Sequence, residues 1–262
     1  MVFNVMKTLK NSLPFRISLY MNIILLYILI YSGYKLGLFE KFLSVFYRVM
    51  PENITNTLPT EIQLDNLIFN GWWQEEVKYQ AIISQNQKYN ACLFGDSISS
   101  MLGNNLGNNN FNFALSAMST VSLVEQLKIL NTAGVKCSHA IIAIGTNDAM
   151  YFIKNEQFIG NMKAIINSVK QMGANRVTLL PAFYSTVEAS YNPGMAGTIA
   201  RVEEINALIR QVADSEKVVI SGDVIKPLFQ GQSLKENLTT DGVHLNAEGR
   251  KIYREALLKL IL

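Results

Sequence analysis

Beyond residue 88 the chain repeats one hydrophobic rhythm. Short, almost wholly apolar runs alternate with longer stretches in which apolar positions recur every three or four residues. The first kind suits strands buried on both faces of a parallel sheet; the second suits helices that cover it. Strands are predicted at Tyr89–Phe94, Phe111–Ala114, Ala140–Ile144, Arg176–Leu180 and Val218–Ser221. Helices are predicted near 120–133, 155–172, 197–214 and 247–261. In the first of these, Val121, Leu123, Val124, Leu127, Ile129 and Leu130 form a core-facing stripe, with Ser119 or Thr120 as the cap. Such alternation implies an α/β fold with a parallel sheet covered on both faces. The Asn-rich stretch at 103–110 is read as a turn-forming loop. It lacks the Lys-Ser/Thr ending of a phosphate cradle.

Upstream the pattern changes. Residues 17–34 carry no charge, and apolar character continues through Leu36, Leu38 and Phe39. About 20 such residues cross a bilayer core. No small-residue cleavage site ends the run, so an uncleaved signal-anchor helix is expected at 17–39. The chain then divides into a basic tail at 1–16, the transmembrane helix at 17–39, a connecting region at 40–87 and a catalytic domain at 88–262. Within 40–87, residues 40–50 read as an amphipathic continuation, 51–70 as a linker and 72–86 as a helix with Trp72 and Trp73 packed inward. Lys7, Lys10 and Arg16 precede the apolar run; Lys35, Lys41 and Arg48 follow it. Positive charge is nearly balanced, and the expected orientation is tail inside, domain exported.

Composition removes several classes of function. The formal net charge is +3, with no basic stripe interleaved with aromatics, so nucleic acid is not an expected partner. Cys92 and Cys137 lack metal-ligand spacing. If Gly95 and Gly145 end neighbouring strands, the two sulfurs are offset by about five residues, or ~16 Å, too far for a disulfide. No metal or cofactor is expected.

Candidate chemistry sits in three blocks: GDSIS at 95–99, GTND at 145–148 and DGVHLN at 241–246. They supply a hydroxyl, an amide and an aspartate–histidine pair, the parts of an acyl-transfer site. The chain has two histidines. His139 precedes the apolar run 140–145, which places it at the N-terminal edge of a strand as a surface or capping residue. Ligands bind at the opposite, carboxyl edge of such sheets. His244 lies in a loop three residues after Asp241, just before the last helix. Its Asn246 is expected to cap that helix from Ala247. Asp96 and Asp148 are assigned to local hydrogen bonding. Met150, Tyr151, Phe152, Phe183, Tyr184 and Tyr191 are placed near the carboxyl edge, where loop packing is as natural a role as pocket lining.

These blocks, their order and their spacing resemble the SGNH hydrolases, also called the GDSL esterase/lipase family, across residues 88–262. The resemblance implies a flavodoxin-like three-layer α/β/α sandwich with Ser97 as nucleophile, Asp241 and His244 as its partners, and Asn147 as an oxyanion donor. The second family block usually reads N-x-G-x-S-G, and its last glycine donates a backbone N–H. Here the stretch is Asn112-Phe113-Ala114-Leu115-Ser116-Ala117. Ala117 therefore stands at the glycine, and the oxyanion hole is expected from Ser97, Ala117 and Asn147.

The expected function is a membrane-anchored serine esterase cleaving O-acyl esters of a lipid or an envelope glycan. An O-acyltransferase using the same acyl-enzyme with a membrane acyl-transfer partner is the alternative. A third reading, of another class, is an inactive SGNH domain that serves as a binding partner, to which Ala117 alone points. A loop at 182–196, with Gly194 and Gly197 as hinges, is the one candidate cover.

Overall fold

The computed structural model of the protein describes residues 65–192 and 194–261. The tail, the anchor at 17–39, the stretch 40–50 and most of the linker lie outside the described residues. Among the described residues no helix is long and apolar enough to cross a membrane.

Five parallel strands form the central sheet: β1 (Lys88–Gly95), β2 (Asn110–Asn112), β3 (Lys136–Ala143), β4 (Arg176–Leu179) and β5 (Val219–Ile220). They lie in the order β2-β1-β3-β4-β5. The connecting helices are α1 (Gly71–Ile83), α2 (Ser97–Ser100), α3 (Thr120–Thr132), α4 (Thr146–Met150), α5 (Asn155–Gln171), α6 (Val187–Ser190), α7 (Ile199–Glu216) and α8 (Ala247–Ile261). A two-stranded antiparallel hairpin, Phe229–Gln230 with Ser233–Leu234, sits outside the sheet.

Strand alternation sorts the side chains into two cores. Cys92, Phe94, Ile142 and Leu179 face one side, where they meet Val77 of α1, Leu127 of α3, Ile165 of α5 and Ile205 of α7. Leu93 and Ile141 face the other, against Ile225, Leu228, and Tyr253 and Leu257 of α8. The three layers expected from the sequence are therefore present. α1 belongs to the first core through Trp73, Val77 and Ala81. Trp73 is buried, whereas Trp72 is exposed, so only one of the two tryptophans packs inward.

Helix starts follow the sequence signals. The Ser119 side chain accepts from the Val121 N–H and caps α3. Asn246 accepts from the Gly249 N–H at 3.0 Å and caps α8. In the Asn-rich loop, Gly103, Gly107, Asn108 and Asn109 all take positive φ, the conformation that Gly and Asn tolerate best.

Two expectations are corrected. β3 begins at Lys136, so His139 is an interior strand residue rather than an edge or capping one. It is buried, and its Nε2 pairs with the Thr178 hydroxyl at 2.9 Å. Burial, helped by Arg176, lowers its pKa to about 4, so it is a neutral core group at pH 7. The register also pairs Cys92 with Ala140 and Cys137 with Tyr89. The backbone register offset is thus three residues, not five, and the two thiols reach each other through a hydrogen bond. Both are buried free thiols.

Candidate active site

Ser97 follows β1 at the carboxyl edge of the sheet and opens α2. Gly95 is required just before it: a Cβ there would come within 2.7 Å of the Ala143 carbonyl oxygen and 2.8 Å of Ser99 Oγ. Asp96 caps α2 by accepting from the Ile98 N–H at 3.0 Å. As the first residue of α2, Ser97 has an N–H outside the intrahelical ladder. Asp96 is fully buried, and burial raises its pKa to about 6, against the opposing pull of the Ile98 N–H, His244 and the Thr146 hydroxyl.

His244 Nε2 lies 2.9 Å from Ser97 Oγ, and its Nδ1 lies 2.7 Å from Asp241 Oδ2. The other oxygen of Asp241 accepts from the N–H groups of Val243 at 2.9 Å and His244 at 2.7 Å. Burial raises the Asp241 carboxyl. The ring and backbone hydrogen bonds outweigh it and hold the pKa below its ordinary value. Gly242 sits at φ +85°, and a Cβ there would come within 2.6 Å of both Ala189 Cβ and Thr186 Oγ1. The loop can pass only because that residue is glycine. Ser97, His244 and Asp241 thus form one hydrogen-bonded row.

The stretch expected to form the oxyanion hole is assembled differently. Ala117 stands at φ +63°, in the left-handed region that costs a non-glycine residue about 1–2 kcal/mol. Asn147, in α4, donates its amide to the Met118 carbonyl at 2.8 Å. That leaves the second amide hydrogen for another acceptor. Asn112 was quoted from its block without a role. It is fully buried, donates to the Ser99 and Gly103 carbonyls at 2.8 and 3.1 Å, and accepts from the Ala114 N–H at 3.0 Å. It therefore ties the turn carrying Ser97 to the loop carrying Ala117. Tyr151, read from the sequence only as a carboxyl-edge loop residue, takes a specific role, and Thr146 and Asp65 escaped the sequence reading. Tyr151 donates to the Ala117 carbonyl at 3.1 Å. Thr146 hydrogen-bonds Asp96 and accepts from the Phe183 N–H at 3.1 Å. Asp65 accepts from the Ser119 and Ser122 hydroxyls at 2.5 and 2.8 Å.

The remaining loop residues separate. Phe183 is buried edge-on against Phe229 and Tyr253 and is core. Tyr191 is exposed and lines a groove of about 550 Å³ that reaches Asp241, along with Glu188, Asn192 and Glu236. Gly197 is close-packed, because a Cβ on it would fall 2.6 Å from Ala149 Cβ. It is no free hinge. The Thr186 N–H also donates to the Gly242 carbonyl at 2.8 Å, which pins the candidate cover to the loop carrying His244. Among the described residues no group of three His, Cys, Asp or Glu side chains is placed to hold a metal ion.

A hydroxyl, an imidazole and a carboxylate in series at the carboxyl edge of a sheet suit nucleophilic attack on a carbonyl. The sequence matches the GDSL-like Lipase/Acylhydrolase family over residues 68–252, and the chain belongs to that family of ester-cleaving serine hydrolases. No curated protein matches it. Solved structures share its fold at low identity. A GDSL-like lipase from Bacteroides thetaiotaomicron VPI-5482 is 16% identical, with a TM-score of 0.58 over 72% of this chain and 96% of its own. A candidate acylhydrolase from Bacteroides fragilis NCTC 9343 is 18% identical, with a TM-score of 0.57 over 72% and 94%. The lipase/acylhydrolase of Enterococcus faecalis is 18% identical, with a TM-score of 0.53 over 65% and 94%.

Proposed function

We propose that the protein is a membrane-anchored serine esterase that cleaves O-acyl esters of a lipid or an envelope glycan through an acyl-enzyme on Ser97. The observation that carries the reading is the continuous row from Ser97 Oγ through the His244 ring to Asp241, with spacings of 2.9 and 2.7 Å. In this reading Ser97 Oγ attacks the ester carbonyl as His244 Nε2 takes its proton. Asp241 stays ionised, fixes the ring tautomer and stabilises the imidazolium. The carbonyl oxygen becomes an oxyanion, which the Ser97 and Ala117 N–H groups and the free amide hydrogen of Asn147 would receive. The imidazolium protonates the leaving alcohol. Water, deprotonated by His244, then attacks the acyl carbon and releases the acid and free Ser97.

The apolar run at 17–39 supports the anchor, and the proposed location is single-pass with the domain outside the cytoplasm. Hydrolysis is preferred to acyl transfer on an observation at the site. The side chains of His244 and Asp241 are 35% and 40% exposed, and a transferase must keep water from its acyl-enzyme. The test is turnover of p-nitrophenyl acetate together with fluorophosphonate labelling of Ser97. Absence of both in folded protein would overturn the esterase reading and leave the inactive binding domain. Acylated acceptor forming at the expense of free acid, when an envelope glycan or lipid alcohol is added, would replace hydrolysis by transfer.

A further inference from the structure

The fourth residue of the GTND block has no part in the chemistry above, yet Asp148 is fully buried. Its carboxyl group receives the Thr120 N–H at 3.1 and 3.2 Å and the Thr120 hydroxyl at 2.5 Å. Thr120 is the first residue of α3, three residues beyond Ala117. The neighbours of Asp148 on α4 grip the same stretch. Asn147 holds the Met118 carbonyl, and Tyr151, the residue that caps α4, holds the Ala117 carbonyl. One short helix thus secures Ala117, Met118 and Thr120 together. Asp65 braces the intervening Ser119 through its N–H and hydroxyl from the other side.

We propose that Asp148 is a positioning residue of the oxyanion hole, fixing the start of α3 so that the Ala117 N–H and the Asn147 amide converge on one point. This rests on the oxyanion reading of Ala117 and Asn147. The reason lies in Ala117. A non-glycine residue at φ +63° relaxes to negative φ unless its surroundings forbid it. Such a relaxation turns the peptide and aims the N–H elsewhere. Asn147 stabilises charge only where its own anchor, the Met118 carbonyl, stays put. Asp148 holds the residue at which this stretch joins a rigid helix. Its part is geometric, and it makes no contact with the reacting atoms.

The test uses the full chain with Asp148→Ala, Asp148→Asn, Asn147→Ala and the Asp148→Ala/Asn147→Ala double variant. Circular dichroism checks the fold, and p-nitrophenyl acetate kinetics and the fluorophosphonate inactivation rate are the readouts. Asp148→Ala is expected to lower kcat and slow inactivation by roughly 10- to 100-fold, within the range of losing one oxyanion donor, with KM within about twofold. In the double variant the two losses should fall well short of multiplying, because both act on the same transition-state charge. Asp148→Asn keeps one acceptor oxygen for the Thr120 N–H, so its loss in kcat should be smaller, only several-fold. If Asp148→Ala fails to fold, Asp148→Asn carries the test: a several-fold loss in kcat at unchanged KM supports the proposal. A folded variant with wild-type kcat, a loss confined to KM, or losses that multiply overturns it. Full kcat in Asn147→Ala would instead overturn the oxyanion reading, and this proposal with it.

Discussion

The two halves of the proposed site are built on opposite plans. The base and the carboxylate that orients it are local and open, although the bond from His244 to Ser97 spans 147 positions. Asp241 and His244 are three residues apart on one loop, and both are more than a third exposed. The charge-stabilising half is distant in sequence and buried. Its contacts join residues 28 to 54 positions apart: Thr120 to Asp148, Met118 to Asn147, Ala117 to Tyr151 and Ser119 to Asp65. A base and its orienting carboxylate need a hydrogen bond and access to substrate, and a short loop with one glycine provides both. Donors for an oxyanion must already stand where charge will develop, which requires rigidity that only packed, long-range contacts supply. The local half should therefore fail chemically when mutated while the fold survives. The distant half should lose activity and stability together.

The sharpest break in that comparison is at the local half. Ser97→Ala or His244→Ala should reduce kcat on the order of 10⁴–10⁶-fold with little change in thermal midpoint. His139→Ala should do the reverse. It removes a buried ring and its bond to Thr178, lowering stability by about 2–4 kcal/mol while kcat in the folded fraction stays near wild type. Steady-state kinetics and thermal melts on the three variants decide this. A crippled His139 variant with an intact melt would exclude His244 as sole base.

The difference between the halves also explains what the sequence could disclose. Asp241, His244 and the Asn246 cap are legible because each acts within a few residues of itself. The same holds for the Ser119 cap. His139 was misplaced because β3 starts with the polar residues Lys136 and Ser138, and an apolar-run rule begins the strand too late. The cysteine offset failed on a related assumption: β3 ends at Ala143, opposite Gly95, not at Gly145. Asp65 lies in a polar linker with no periodic signal, and its partners are known only once α3 is folded. The left-handed backbone of Ala117 leaves no mark in residue type, because alanine is not a turn former.

Next in size is the distant half. Asn147→Ala should lower kcat by about 10²–10³-fold, more than it raises KM. It should also destabilise by about 1–3 kcal/mol, because the buried Met118 carbonyl loses its donor. A change in KM alone would reassign Asn147 to substrate binding. A loss of kcat with an unchanged melt would contradict the coupled design.

Buried carboxyl groups add a pH signature to the same half. Burial, with the nearby Asp65 charge adding to it, raises Asp148 to about 7, against the hydrogen bonds from Thr120. Burial likewise raises Asp96 to about 6. Unfolded aspartate titrates near 3.9, so between about pH 4 and 7 the native state binds more protons than the unfolded state. By linkage, stability from these groups is fully present below about pH 4 and is lost as pH rises through 6 to 7. The contribution at stake is on the order of a few kcal/mol. Asp148→Asn cannot ionise, so its stability relative to wild type should improve from pH 5 to about pH 7 and then level off in urea melts. A relative stability that is flat across that range would mean Asp148 titrates near its unfolded value.

The smallest expected effect tests the strain at the centre of the distant half. Ala117 pays for its left-handed backbone with about 1–2 kcal/mol, and glycine adopts the same conformation freely. Glycine also widens the unfolded ensemble, which offsets part of the gain, about 0.4–1 kcal/mol. Ala117→Gly should therefore stabilise the domain by no more than about 1.6 kcal/mol. Its effect on kcat separates two pictures of the loop. If Asp148, Asn147 and Tyr151 already fix residue 117, the added freedom changes nothing, and kcat should stay within about twofold. If those contacts hold it weakly, glycine lets the N–H swing away and kcat falls despite greater stability. A parallel Ala117→Val variant supplies the opposite pressure, since a β-branched residue at positive φ is strongly disfavoured. It should lose both stability and kcat, and a Val variant with wild-type kcat would remove the Ala117 N–H from the oxyanion hole.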